Sequence, residues 1–185
     1  MRTRKPTVAL IYDFDGTLSP SNMQEYDFLK AIDVKDKQKF WAENAEMVSK
    51  QNASSILCYM RLMLDKARAA HVSIKRQQFV DFGKSIELYK GVEEWFGLIN
   101  ELGKKAGVNI EHYIYSSGLR EMIEGTAIAK EFKEIYACSF MYEDDSGFFM
   151  QFPAECKAEL EKEGDEYELN AATVEVSVDT DKYYQ

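Results

Sequence analysis

The sequence predicts an α/β protein: a three-layer, Rossmann-like core with a mainly parallel sheet, plus an inserted all-helical cap. Three observations point there. A short apolar run, Val8-Ala9-Leu10-Ile11-Tyr12, stops abruptly at Asp13. Helical periodicity then fills residues 23–89, and no proline occurs between Pro20 and Pro153. Beyond Gly91, helical stripes alternate with strand-like runs, the order that builds a layered α/β core.

Taken in order, residues 8–12 are too few for a buried helix and rich in β-branched and aromatic side chains, which favours a strand buried on both faces. Residues 13–20 are turn chemistry, with Gly16 and Pro20 forbidding regular continuation. The next segment reads as four helices. Tyr26, Phe28, Leu29 and Ile32 mark the first, and Phe40, Trp41, Ala45 and Val48 the second. Ile56, Leu57, Met60, Met63, Leu64 and Ala67 recur three and four apart and form the third. Ser73 is placed to cap a fourth that carries Phe79, Val80 and Ile86. After Gly91, the stripe Val92, Trp95, Phe96, Ile99 and Leu102 predicts a helix ending at Gly103 or Gly107. Residues 108–115 read as a second strand, 119–132 as a helix and 135–140 as a third strand. Residues 140–142 and 148–150 flank a Glu-Asp-Asp-Ser-Gly turn and predict a hairpin. Residues 154–163 suit a short charged helix, and 173–178 alternate as a fourth strand before Asp179. The core is expected at 1–20 and 90–185, with the cap at 21–89.

Composition narrows the function. The 185 residues are 45% hydrophobic and carry 24 aromatic side chains, enough for a core without staples. Lys plus Arg number 23 against 32 Asp plus Glu, a net charge of −9 that disfavours nucleic acid as a partner. A small phosphorylated ligand in a local positive pocket stays compatible with that field. Cys58, Cys138 and Cys156 are odd in number and widely spaced, and only His71 and His112 are present, so reduced, packed thiols and a cytoplasmic setting are expected. No run approaches the roughly 20 apolar residues of a membrane span, so no membrane partner is expected. Oligomeric state is not legible.

The chemistry centres on Asp13-Phe14-Asp15-Gly16-Thr17. Ligands of open parallel sheets bind beyond the carboxyl ends of strands, where Asp13 lies. Two carboxylates one residue apart on a curled loop repel each other, and a divalent cation compensates; hard oxygen donors select Mg²⁺. At the end of the second strand, Ser116 supplies a hydroxyl, and the amides of Ser117 and Gly118 are expected to open a helix, a favourable place for an anion.

The segment Ile11-Tyr12-Asp13-Phe14-Asp15-Gly16-Thr17-Leu18 resembles the first motif of the haloacid dehalogenase superfamily, most nearly in the style of its phosphoserine phosphatase-like hydrolases with a C1 helical cap. The resemblance covers residues 7 to about 150. It implies Asp13 as a nucleophile that forms an aspartyl-phosphate and Asp15 as the acid that protonates the leaving oxygen and later activates water. It places Ser116 in the second motif and implies phosphate contacts from Thr17, Ser117 and Gly118. It calls for a lysine, for which Lys157, Lys162 and Lys130 are candidates; Lys157 precedes Asp179 by 22 residues. It implies Mg²⁺ held by Asp13, Asp15 and Asp179. The family's terminal acidic motif is matched only partly by Val178-Asp179-Thr180-Asp181, which implies a chain shortened at its C-terminus. The cap position implies a lid over the nucleophile, with Asn22, Gln24, Glu25 and Arg120 bordering its mouth. The function implied is Mg²⁺-dependent hydrolysis of a small phosphorylated metabolite. The alternatives are an inactive member serving as a binding or regulatory module, and a phosphotransferase or mutase.

Overall fold

The computed structural model describes residues 5–143 and the backbone of the strand at 146–151. Strand β1 (Thr7–Tyr12) is followed by a 3-10 turn (Met23–Glu25) and helices α1 (Asp27–Ala31), α2 (Lys37–Gln51), α3 (Ser55–Ala69) and α4 (Arg76–Gly83). Helix α5 (Val92–Ala106), strand β2 (Asn109–Leu119), helix α6 (Arg120–Glu124), a 3-10 turn (Ala129–Glu131), strand β3 (Glu134–Glu143) and strand β4 (Ser146–Gln151) complete the order. The four strands form one sheet in the order β1-β2-β3-β4. β1, β2 and β3 run parallel, and β4 folds back antiparallel on β3 as the hairpin the sequence predicts. This mixed α/β, Rossmann-like arrangement agrees with the predicted class. The 173–178 strand and the 154–163 helix lie outside the described residues.

Helix α5 closes one face of the sheet. Glycines at both of its ends take positive φ, 91° at Gly91 and 75° at Gly107, so the later of the two predicted stops is used. Within it, Gly103 lies against Ile110, whose Cγ1 is 2.4 Å from where a β-carbon would sit. Phe96 meets Tyr12 and His112 edge-on. His112 is buried, and burial lowers its pKa, which favours a neutral ring. Trp95 Nε1 donates to the Tyr12 hydroxyl at 2.9 Å, and that hydroxyl lies 2.9 Å from His112 Nδ1. His112 Nε2 then donates to Asn100 Oδ1 at 3.1 Å, the tautomer that satisfies every member of the chain. The residue directly before Asp13 is thereby locked.

The expectation that β1 is buried on both faces fails. Val8 is 41% and Ile11 65% exposed, because β1 ends the strand order and pairs on one side only among the described residues. Tyr115, 54% exposed, shares the Ile11 face, opposite α5.

The helices between β1 and α5 fall where the apolar periodicity predicts, except that α4 ends at Gly83 and leaves Ile86 beyond it. Asp36 caps α2, accepting the amides of Gln38 at 2.9 Å and Lys39 at 3.3 Å. Ser73 caps nothing: α4 starts after Lys75, whose own amide donates weakly to Ser73 Oγ at 3.4 Å. Phe28, Phe79 and Phe82 cluster with Phe140 of β3, so these helices share one core with the sheet. The Tyr89 amide donates to the Leu18 carbonyl at 2.9 Å, where the chain returns to the point it left.

The predicted helix over 119–132 is also corrected. β2 runs on through Ser116, Ser117 and Gly118 to Leu119, with a bulge between Ser116 and Leu119, and α6 spans only Arg120–Glu124. The Thr126 hydroxyl ends that helix by donating to the Ile123 carbonyl at 2.7 Å. Gly125 is needed by packing: a β-carbon there would sit 1.9 Å from the Val80 carbonyl oxygen. Gly83 is held the same way, 2.0 Å from the Met122 carbonyl oxygen. Cys58 and Cys138 are buried free thiols, in line with the packed thiols expected, and Cys156 lies outside the described residues.

Candidate active site

The site begins where β1 ends. Tyr12 pairs with Ile114 in parallel register, so Asp13, which follows β1, and Ser116, still within β2, lie toward the same end of the strand pair. The loop after Asp13 is wound tightly. The amides of Thr17, Leu18 and Ser19 all reach the Phe14 carbonyl, at 3.2, 2.9 and 3.1 Å, and Gly16 donates to Ser19 at 2.7 Å. Gly16 takes φ +77° with nothing near its missing β-carbon, so backbone conformation rather than space requires glycine there. Phe14, between the two carboxylates, is fully buried.

Asp13 is exposed, and its Oδ1 accepts the Phe14 amide at 2.7 Å. Asp15 is more enclosed and accepts the Met23 amide at 2.9 Å. Burial, the largest cause, pushes the Asp15 carboxyl up to about 7; the Met23 amide opposes this, while the charges of Asp13 and Glu25 add to it. A group titrating there is suited to exchange a proton in both directions near neutral pH.

The β2 bulge lies against Asp15. A β-carbon on Gly118 would fall 3.3 Å from Asp15 Oδ2 and 2.1 Å from Met23 Cε, so the bulge and the Asp15 carboxylate are in close approach here and any larger residue would have to displace the Met23 side chain. Ser116 is buried, and its Oγ accepts the Gly118 amide at 3.0 Å. That bond fixes the oxygen and leaves the hydroxyl hydrogen to be donated elsewhere. The expected helix-opening amides of Ser117 and Gly118 are therefore part of a bulged strand, with the Gly118 N–H already committed to Ser116. Thr17 is half-buried in the Asp loop.

The residues proposed at the mouth divide. Glu25 accepts from Asn22 Nδ2 at 2.9 Å and Trp41 Nε1 at 2.8 Å and pairs with Lys37 at 3.2 Å. Gln24 is buried, and its Oε1 has no hydrogen-bond partner among the described residues. Arg120 is half-buried at the start of α6. Lys130 is 80% exposed beside Glu131, a solvated position. Lys157, Lys162 and Asp179 lie outside the described residues.

Two contributors went unseen in the sequence. Met23 joins both halves of the site: its amide holds Asp15, and its sulfur accepts the Leu119 amide at 3.1 Å. Tyr59 of α3 donates to the Ser117 carbonyl at 2.5 Å. Both look like ordinary apolar-face residues in a linear reading.

For a cation, Asp13 and Asp15 are hard oxygen donors on one loop with mutual repulsion to relieve, which suits Mg²⁺ in kind. Among the described residues no group of three or more His, Cys, Asp or Glu side chains could hold a metal ion. No helix among the described residues is long and apolar enough to cross a membrane.

No protein-family model matches the chain. It is 34% identical over 151 residues to an uncharacterized protein of Borreliella burgdorferi, covering 76% of this chain. The chain spans about half the length of that curated relative, 52%. Among solved structures, a phosphoserine phosphohydrolase-like protein from Francisella tularensis aligns with a TM-score of 0.50 and 22% identity, over 80% of this chain and 65% of the other. A HAD family hydrolase from Salmonella enterica serovar Typhi aligns at 0.55 and 11% identity, over 86% and 53%. A probable phosphoserine phosphatase from Vibrio cholerae aligns at 0.53 and 15% identity, over 84% and 45%. The fold is that of phosphoserine phosphatase-like hydrolases of the haloacid dehalogenase superfamily.

Proposed function

We propose that the chain is a Mg²⁺-dependent phosphatase-like hydrolase of a small phosphorylated metabolite that works through an aspartyl-phosphate. The single observation that carries this reading is that Asp15, on the loop that follows β1, lies against Gly118 of the β2 bulge at the end where Tyr12 pairs with Ile114.

Asp13 is exposed, as a nucleophile must be. With Oδ1 fixed by the Phe14 amide, Oδ2 attacks phosphorus and the ester oxygen departs on the opposite side. Asp15, poised at about 7, gives that oxygen its proton and later takes one from the water that hydrolyses the acyl phosphate. Ser116 donates to a phosphoryl oxygen, and the Thr17, Ser117 and Gly118 segments bound the same space. Mg²⁺, when bound, would neutralise charge between the nucleophile and the phosphoryl group; the Asp13 carboxylate, the backbone carbonyl of Asp15 and, from outside the described residues, Asp179 would hold it. Lys157 is the proposed balancing cation, also from outside those residues. The helices of residues 21–89 act as a cap that excludes water.

The test is hydrolysis of an aryl phosphate by the full chain with Mg²⁺ present. The wild-type chain is expected to turn over and Asp13→Asn to fall to background. Unchanged turnover in Asp13→Asn rules the mechanism out.

A further inference from the structure

We propose that Tyr59, reaching in from α3, is a positioning residue that sets the hydroxyl of Ser116 by clamping the Ser117–Gly118 peptide. The inference rests on the phosphatase reading for its kinetic consequence and on geometry alone for the clamp.

One peptide unit is gripped at both ends. Its carbonyl oxygen, on Ser117, accepts the Tyr59 hydroxyl at 2.5 Å, and its N–H, on Gly118, donates to Ser116 Oγ at 3.0 Å. A peptide unit is planar and rigid, so turning the carbonyl turns the N–H with it. Its neighbours in the bulge are off the regular ladder, between the shifted registers at Ser116 and Leu119, so strand pairing does not hold this plane. Next to it, the Leu119 amide is taken by Met23. Tyr59 is therefore the external grip on the unit that holds Ser116.

The grip is itself braced. Tyr59 is buried, and its ring meets Trp41 edge-on at 6.1 Å. Trp41 is tied through its indole N–H to Glu25, and Glu25 to Lys37. A chain of contacts thus runs from the mouth of the cap to the second-strand loop. Burial raises the Tyr59 pKa well above its ordinary value, so the phenol stays protonated and a donor throughout the working range. A phenylalanine keeps the ring and removes only the donor.

The experiment compares wild type, Tyr59→Phe, Ser116→Ala and the double variant, all as the full chain, with an aryl phosphate and Mg²⁺. Tyr59→Phe is expected to lower kcat about tenfold and leave KM within about twofold, as expected when an interaction made in the transition state is lost. In the Ser116→Ala background the same change is expected to have no further effect, because the two residues act as a unit. Gly118 amide hydrogen exchange, measured without substrate, is expected to rise at least tenfold in Tyr59→Phe while amides of the α5 helix stay unchanged. A full kcat loss that persists in the Ser116→Ala background, an effect confined to KM, or unchanged Gly118 exchange overturns the proposal. A wild-type chain without turnover refutes the phosphatase reading, and Gly118 exchange then decides the clamp by itself.

Discussion

Replacing Asp15 by asparagine should stabilise the protein at alkaline pH while removing its proposed acid. Asparagine keeps the shape and keeps Oδ1 as acceptor for the Met23 amide, so the main change is loss of a buried negative charge. The folded carboxyl titrates at about 7 against an ordinary value of 3.8. The native state therefore holds the proton more tightly than the unfolded chain. The resulting stabilisation is fully present below about pH 4 and is lost as pH rises through 7. A gap of about three on the pH scale, at about 1.4 kcal/mol each, makes the ionised group cost ~4 kcal/mol at pH 8. At pH 5 the same linkage leaves asparagine ahead by only ~1.5 kcal/mol. The assay is urea unfolding of both proteins at pH 5 and pH 8 in EDTA, so that no cation masks the charge. A variant less stable than wild type at pH 8, or an advantage that does not shrink on acidification, would refute the claim that Asp15 sits in a desolvated, repulsive site.

Two further outcomes follow from the same geometry. Saturating Mg²⁺ should stabilise the wild-type chain against thermal unfolding, by ~2.7 kcal/mol at a hundredfold excess over its dissociation constant; Asp13→Asn should lose most of that gain, and an equal gain in both would remove Asp13 from the ion's shell. Gly83→Ala should cost ~3 kcal/mol in urea unfolding, because its β-carbon would overlap the Met122 carbonyl and push α4 off α6; a cost within about 0.5 kcal/mol, the scale of ordinary surface changes, would show that the two helices are not in backbone contact.

Legibility along the chain was uneven. The run of residues 8–12 and the loop after it were readable because apolar continuity, Gly16 and two carboxylates are adjacent in sequence. Helices α2, α3 and α5 were readable because each has enough turns for its apolar face to repeat. The segment 119–132 misled because its composition suits a helix, whereas Leu119 is still in the bulged strand and Gly125 is reserved for contact with α4. Ser73 misled because a capping side chain shows its role only once the helix start is known.

By itself, the sequence determined the fold class and the parallel strand that ends before Asp13, with two acids one residue apart on the loop after it. Those features depend on neighbouring residues, whose turn chemistry and periodicity act before the chain has collapsed. Only the tertiary structure decided that Met23 would hold Asp15 and Leu119 together, that Gly118 would lie against Asp15, and that Tyr59 would reach Ser117 across 58 positions. Those contacts join residues with no local reason to meet. They exist because burying the aromatic core of α1, α3 and α4 against β3 brings the helices over the strand ends, where unpaired carbonyls and amides must then find partners.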